Sequence, residues 1–269
     1  MNHFKNKVIW ITGASSGIGA SLAVELSAYN CKLILSGRNQ AALQAVKNNC
    51  IGLPQENIRL LPFDLKESEN IPAITEQAIG LFGEIDITIL NGGIAQRSLT
   101  KDTTLAVDRE LMEVDYFSCI AITKSLLPHL MERNKGQIVV VSSVMGIIGT
   151  PFRSGYAAAK HALHGFYDSL RAELWYKYKG ITVTIVAPGW VRTNITMNAL
   201  SGDGSRLQSM DRATEKGMAP EKFAKKMVRA IADKKNLAII GGVKERFAVW
   251  LQRYFPELFI RLVRVMNVR

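Results

Sequence analysis

A chain of 269 residues, 48% apolar and 21% charged, can bury a sizeable core, and its composition excludes a disordered or fibrous protein. The formal charge is +11, but from Pro220 to Arg269 twelve Lys and Arg face four Asp and Glu, which is +8 of the total; the basic excess belongs to the tail, and no nucleic acid partner is expected. Three scattered cysteines, Cys31, Cys50 and Cys119, lack CxxC spacing, which argues against a disulfide framework or a zinc site and fits a reducing cytoplasm.

The N-terminal "MNHFKNKVIWITG" reads as entering a strand within a few residues, so no signal peptide is expected, and no apolar run approaches the ~18 residues of a membrane span. Seven short apolar runs then follow in order: "KVIWIT", "KLILS", "IRLLPF", "DITILN", "QIVVVSS", "TVTIVAP" and "LAIIGG". Segments of helical period separate them, at about 17 to 29, 39 to 50, 68 to 82, 106 to 133, 152 to 178 and 220 to 233. Strands alternating with helices predict βαβ units and a parallel sheet, and strands this continuously apolar suit a sheet covered on both faces. The expectation is one α/β domain spanning residues 1–269. Its long irregular segment, 194–219, is rich in polar residues and glycine, and serves as the candidate substrate lid.

Directly after the first strand comes "TGASSGIG", followed by a helix. Glycines let the backbone turn sharply and approach a pyrophosphate, whose charge is favoured by the free N–H groups and dipole of a helix N-terminus. Gly13, Ser15, Ser16, Gly17, Ile18 and Gly19 therefore form a candidate dinucleotide cradle, although the spacing is GxxxGxG and a plain βα turn is the bland alternative. "GASSG" also matches the nucleophile elbow of α/β-hydrolases, with Ser15 as nucleophile. The chain order argues against that: the last histidine is His164, and no earlier strand exists to supply an oxyanion loop. About twenty residues on, the second strand ends "LILSGRN", with Gly37 and Arg38 where an acidic residue would hold the ribose hydroxyl of NAD. A guanidinium that faces no competing anion can grip a 2′-phosphate, so the expected cofactor is NADP(H); a solvated surface arginine is the alternative.

"SGYAAAKHALHGF" sets Tyr156 and Lys160 one helical turn apart on one face. YxxxK arises often by chance, and a surface pair is the bland reading. An ammonium close to a phenol favours the phenolate, however, which would make Tyr156 a competent proton donor or acceptor at a carbonyl.

"TGASSGIG", "NGGI", "VSSVMG", "YAAAK" and "APGWVRT" fall in the order and spacing of the short-chain dehydrogenase/reductase family, which the sequence resembles over essentially its whole length. The resemblance implies a single Rossmann-like, doubly wound domain with a seven-stranded parallel sheet and a Ser, Tyr, Lys site assisted by an Asn. It implies that Ser143, thirteen positions before the tyrosine, binds the substrate oxygen, that Tyr156 exchanges the proton, and that Lys160 holds the nicotinamide ribose and lowers the tyrosine pKa. Asp64 and Leu65 in "PFDL", Asn91 and Gly92 in "NGGI", and Pro188, Gly189, Val191 and Thr193 in "APGWVRT" are the further cofactor contacts it implies. Where the family has its asparagine this chain has Asp115, in "EVDYF"; a carboxylate near Lys160 is expected to raise the Tyr156 pKa. Gly92 and Ile94 also depart from the usual NNAG, a change expected to affect flexibility more than chemistry.

Met145, Ile147, Ile148, Phe152 and Trp190 flank these motifs and would line an apolar pocket mouth, pointing to a hydrophobic alcohol or ketone. A 3-oxoacyl thioester on an acidic carrier protein is the runner-up, and a cofactor-binding sensor or scaffold with little catalysis the rival class. The extension 243–269 carries Phe247, Leu251, Leu258, Leu262 and Met266 at helical spacing with arginines largely opposite, and Pro256 opens a second helix. Such amphipathic helices either cover a pocket or subunit contact or lie peripherally on an anionic membrane; together with "KGMAPEKFA" they resemble one branch of the same family. The resemblance further implies a homodimer or homotetramer joined through the helices at 106 to 133 and 152 to 178. His161 and His164 lack a third ligand nearby, and no metal is expected.

Overall fold

The computed structural model describes residues 2–265; Met266 and the remainder of the C-terminal extension lie outside the described residues. Seven strands form one sheet: β1 (Val8–Ile11), β2 (Lys32–Leu35), β3 (Ile58–Leu60), β4 (Ile87–Leu90), β5 (Gly136–Val141), β6 (Ile181–Pro188) and β7 (Leu237–Ile240). Their order is β3-β2-β1-β4-β5-β6-β7, with every neighbouring pair parallel. This is the doubly wound α/β architecture that the alternation of strands and helices predicts.

The period of two along a strand explains both cores. In β1, Ile9 and Ile11 point to one face, where they meet Leu22 and Leu26 of α1 (Gly17–Leu26), Leu43 of α2 (Gln40–Asn49) and Phe223, Met227 and Ile231 of α8 (Pro220–Ala232). Val8 and Trp10 point to the other, against Ile71 of α3 (Ile71–Gly80), Ile122 and Leu126 of α5 (Ser118–Arg133) and Leu163 and Tyr167 of α6 (Ser154–Lys177). Each such buried side chain contributes about 1.5–3 kcal/mol. Local signals set the helix starts: the Asn39 side chain accepts from the N–H of Ala42 at 2.9 Å, and Pro220 occupies the first turn of α8.

Two segments differ from the sequence reading. The helix expected at 106 to 133 is α4 (Leu105–Met112), then a π-helical turn, Glu113–Phe117, then α5. The wide turn carries Asp115, fully buried, inward to a bond with the loop after β4. In the tail the two expected helices form, α9 (Val243–Tyr254) and α10 (Pro256–Val265), separated by Phe255 at φ −138°, and the difference lies in which face is buried. The buried face is therefore Val249, Leu251 and Phe259, packed in a cluster with Met145, Ile148 and Tyr156, while Phe247, Leu258 and Leu262 are exposed. No helix among the described residues is long and apolar enough to cross a membrane.

Candidate active site

The chain leaves β1 toward one edge of the sheet and β4 toward the other, so a crevice opens between the loops at their carboxyl ends. There two backbones meet without side chains between them. Gly13 has φ +63°, and a Cβ on it would stand 2.6 Å from the Gly92 Cα. Asn91 Nδ2 donates to the carbonyls of Thr12 and Gly13, both at 3.1 Å, while Thr12 Oγ1 accepts from the N–H groups of Asn91 and Gly92. The space an asparagine would take at Gly92 is filled by Leu65, whose Cδ1 lies 2.4 Å from that notional Cβ. Helix α1 starts at this crevice with no side chain capping its first N–H groups, leaving donors for an anion. An open cradle at an uncapped helix start fits a dinucleotide.

A cleft of about 420 Å³ runs along the carboxyl edge of the sheet. Its wall includes Gly13, Ser15, Ser16, Gly17 and Ile18 from the cradle, Arg38 after β2, Asp64 and Leu65 after β3, and Asn91 and Gly92 after β4. It continues through Ser143, Tyr156 and Lys160 to Pro188, Gly189, Val191 and Thr193 after β6. Gly19 and Asp115 stand behind that wall. Gly19 is there because a Cβ would lie 2.2 Å from the Gly13 carbonyl, a packing reason distinct from ligand contact.

One expectation at the Arg38 end needs correction. The guanidinium does face an anion: Arg38 Nη1 lies 3.8 Å from Asp64 Oδ2. Arg38 is exposed and Asp64 half-buried, and a pair this long and partly hydrated is worth little, so Arg38 stays available to a stronger acceptor.

At the other end, the first turn of α6 presents Tyr156 and, one turn on, Lys160. Gly155 permits this placement, since a Cβ there would lie 2.9 Å from Leu111 of α4. Gly146 does the same for the loop after β5, where a Cβ would come 2.7 Å from the Lys160 carbonyl. Ser143 Oγ accepts from the Met145 N–H at 3.1 Å, and Ser143 lines the cleft together with Tyr156. Lys160 Nζ donates to the Val141 carbonyl at 3.3 Å and lies 3.7 Å from Asp115 Oδ2 and 5.8 Å from the centre of the Tyr156 ring. Asp115 Oδ1 accepts from the Ile94 N–H at 2.8 Å, whereas Oδ2 has no hydrogen-bond partner among the described residues.

Burial pushes the Tyr156 pKa above the ordinary phenol value; Lys160 pulls it back and Asp115 adds to the rise. The sequence reading attributes such a rise to Asp115, but desolvation outranks Asp115 as its cause. Burial opposes the charge on Lys160 too, yet Asp115 and Tyr156 outweigh it and hold the ammonium above its ordinary value. Burial raises the Asp115 carboxyl, with Lys160 and the Ile94 N–H working against that.

Of the predicted pocket-mouth residues, Met145 and Trp190 line the cleft. Ile147, Ile148 and Phe152 do not: Ile147 and Ile148 pack into the cluster that receives the C-terminal helices, and Phe152 sits in a turn at φ +69°. Asn194, Thr196 and Arg206, from the segment read as the candidate lid, line the cleft, as does Arg153, which went unpredicted. Arg153 was the one with a signal, since it precedes Tyr156 by three residues. His161 bonds its own helix at Ala157 and His164 bonds Ser142; no metal-binding cluster occurs among the described residues.

The model of the short chain dehydrogenase family matches residues 7–204. The chain belongs to that family. It is 39% identical over 271 residues to a dehydrogenase/reductase SDR family protein 7-like of Drosophila melanogaster, covering 100% of this chain and 82% of that protein. It is 37% identical over 264 residues to mouse dehydrogenase/reductase SDR family member 7B, covering 97% and 81%, the branch that its tail resembles. A Burkholderia phymatum short chain dehydrogenase/reductase in complex with NAD superposes with a TM-score of 0.84 at 20% identity, over 96% of both chains, a likeness of fold.

Proposed function

We propose that this chain is an NADP(H)-dependent oxidoreductase that interconverts a hydrophobic alcohol and ketone, with Tyr156 as general acid and base. The observation that carries this reading is the convergence of Ser143, Tyr156 and Lys160 at one end of a cleft whose other end holds an uncapped helix start and Arg38. A bound nicotinamide supplies the hydride acceptor or donor. Ser143 Oγ, fixed by the Met145 N–H, holds the substrate oxygen beside the Tyr156 hydroxyl. Tyr156 gives its proton to that oxygen in reduction and takes it back in oxidation. Lys160, clamped by Val141 and Asp115, stays cationic and favours the phenolate form. Asp64, Leu65, Asn91, Gly92, Pro188, Gly189, Val191 and Thr193 complete the cofactor side, and Arg38 receives the 2′-phosphate.

The cleft contributes the apolar side chains of Met145 and Trp190, which supports a hydrophobic substrate. Residues 194–219 act as its lid; Asn194, Thr196 and Arg206 already reach the cleft wall. The protein assembles as a homodimer or homotetramer through α4, the π-helical turn, α5 and α6, where Leu105, Phe117, Trp175 and Tyr176 are exposed. It works in the cytoplasm, in contact with an anionic membrane through α9 and α10, whose Phe247, Trp250 and Leu258 are exposed beside Arg246, Arg253 and Arg261. A 3-oxoacyl carrier-protein substrate is the second reading, favoured by the +8 balance of the C-terminal fifty residues.

A panel of hydrophobic ketones, alcohols and carrier-bound thioesters, assayed with each cofactor, tests the reading. It predicts turnover of free ketones with a preference for NADPH that Arg38→Asp reverses. Equal use of NADH removes the cofactor assignment, and activity confined to carrier-bound substrates replaces the first reading by the second.

A further inference from the structure

Arg153 is a cation in an unusual place. It is only 6% exposed, yet it forms part of the cleft wall beside Tyr156 and Trp190. Its guanidinium carbon lies 5.0 Å from the centre of the Trp190 ring, which fixes the plane of the fork. Nη2 donates to Asp211 Oδ2 at 3.2 Å, but that same oxygen accepts from Arg97 Nη1 at 2.6 Å, and Asp211 Oδ1 caps the short helix α7 (Arg212–Glu215) through the Thr214 N–H at 2.7 Å. Arg153 thus holds a share of one carboxylate oxygen. Its Nη1 is buried and has no hydrogen-bond partner among the described residues. A buried, unpaired guanidinium donor is costly, and it is best satisfied by an acceptor that carries charge.

The rest of the cleft wall shows where that acceptor comes from. Arg153, Lys160 and Arg206 are cations of the cleft wall, and the carboxylates paired with the first two, Asp211 and Asp115, stand outside that wall. The acidic residue in the wall, Asp64, stands at the opposite end beside Arg38. Burial, with the neighbouring Arg97, draws the Arg153 pKa below the ordinary arginine value, and Asp211 offsets only part of that.

We propose that Arg153 is the specificity-determining residue of this site, and that it selects hydrophobic carbonyl compounds bearing an oxyanion group, a carboxylate or a phosphate. The proposal rests on the oxidoreductase reading for the catalytic step, but not for the binding of the anion. The fork has one arm committed to Asp211 and one arm free for the ligand, with Trp190 holding both in register. Arg153 touches the substrate away from its reacting carbon, so its loss raises KM more than it lowers kcat.

The test uses the full-length protein and two readouts. In the first, calorimetry compares dodecanoate, dodecyl phosphate and dodecanol as ligands. The wild type binds at least one of the two anions more tightly than dodecanol, and which one it prefers distinguishes carboxylate from phosphate recognition. Arg153→Gln, which keeps an amide donor for Asp211, weakens that anion about thirtyfold and leaves dodecanol within about threefold. In the second, a long-chain keto acid and its methyl ester are compared as substrates with NADPH. Arg153→Gln lowers the acid-to-ester ratio of kcat/KM by a similar factor, mostly through KM. Asp211→Asn is the control for a purely structural role. It removes a competing carboxylate, so it leaves the preference for the anion intact or strengthens it.

If Asp211→Asn instead reproduces the loss seen with Arg153→Gln, Arg153 is a strut for the lid and the proposal is overturned. Equal binding of dodecanol and both anions by the wild type overturns it as well. Tight anion binding with no turnover of any carbonyl compound contradicts the oxidoreductase reading and leaves the role of Arg153 standing.

Discussion

Tyr156, Lys160 and Asp115 form a chain of buried groups in which each charge is set by the next. Tyr156→Phe removes the proton carrier and keeps the ring, so turnover falls by about 10²–10⁴-fold while nucleotide binding, followed by fluorescence quenching, is unchanged. Asp115→Asn keeps the acceptor for the Ile94 N–H and removes the negative charge 3.7 Å from Lys160. With that charge gone, the phenolate of Tyr156 is easier to form. The rising limb of the alcohol-oxidation profile, which reports Tyr156 as base, therefore moves to lower pH; a profile that stays in place refutes the coupling. The residue types of this site were legible from spacing and family likeness. The dominance of burial over Asp115 was not, because desolvation depends on what the π-helical turn and the C-terminal helices bring around the phenol.

Among the elements, the two loops at the sheet's switch point and the ionic cluster at its opposite end are held by different physics. Gly13→Ala forces a side chain into φ +63° and against the Gly92 Cα, so it destabilises the fold by about 1–3 kcal/mol and weakens nucleotide binding, read by thermal melting with and without NADPH. At the far end Asp86 is almost fully buried, accepts from the Val8 N–H and lies 3.0 Å from both Arg133 and Lys135 and 3.5 Å from Lys7. Burial pushes its pKa up, but these donors outweigh burial and hold the carboxyl below the ordinary value. A depressed folded pKa means stability that is present above the usual carboxylate range and lost as pH falls through the folded value. Asp86→Asn is expected to cost about 1–3 kcal/mol at neutral pH, and to flatten the decline of the urea midpoint on acidification. The seven strands were readable because parallel strands covered on both faces are continuous apolar runs. The break at Glu113–Phe117 and the exposure of Phe247, Leu258 and Leu262 were not, since they follow from tertiary contacts at Ile94 and from the change of axis at Phe255.

For the whole molecule, the tail presents one buried face and one exposed face. Val249, Leu251 and Phe259 pack in the buried cluster that holds Met145 and Tyr156, while an aromatic face stays outside, with Phe247 stacked on Trp250 at 5.7 Å. Co-sedimentation with anionic liposomes, weakened by high salt and by Trp250→Ser with Phe247→Ser, is the expected outcome; full retention in the supernatant excludes the membrane role. The account as a whole stands on Tyr156 serving a reaction driven by NADPH. Steady-state NADPH oxidation with a hydrophobic ketone, compared between the wild type and Tyr156→Phe, tests this most directly. The account predicts ketone-dependent turnover that is faster with NADPH than with NADH and falls at least about a hundredfold in the variant. Turnover that survives in Tyr156→Phe, or a wild type that binds NADPH and reduces no ketone, would contradict it.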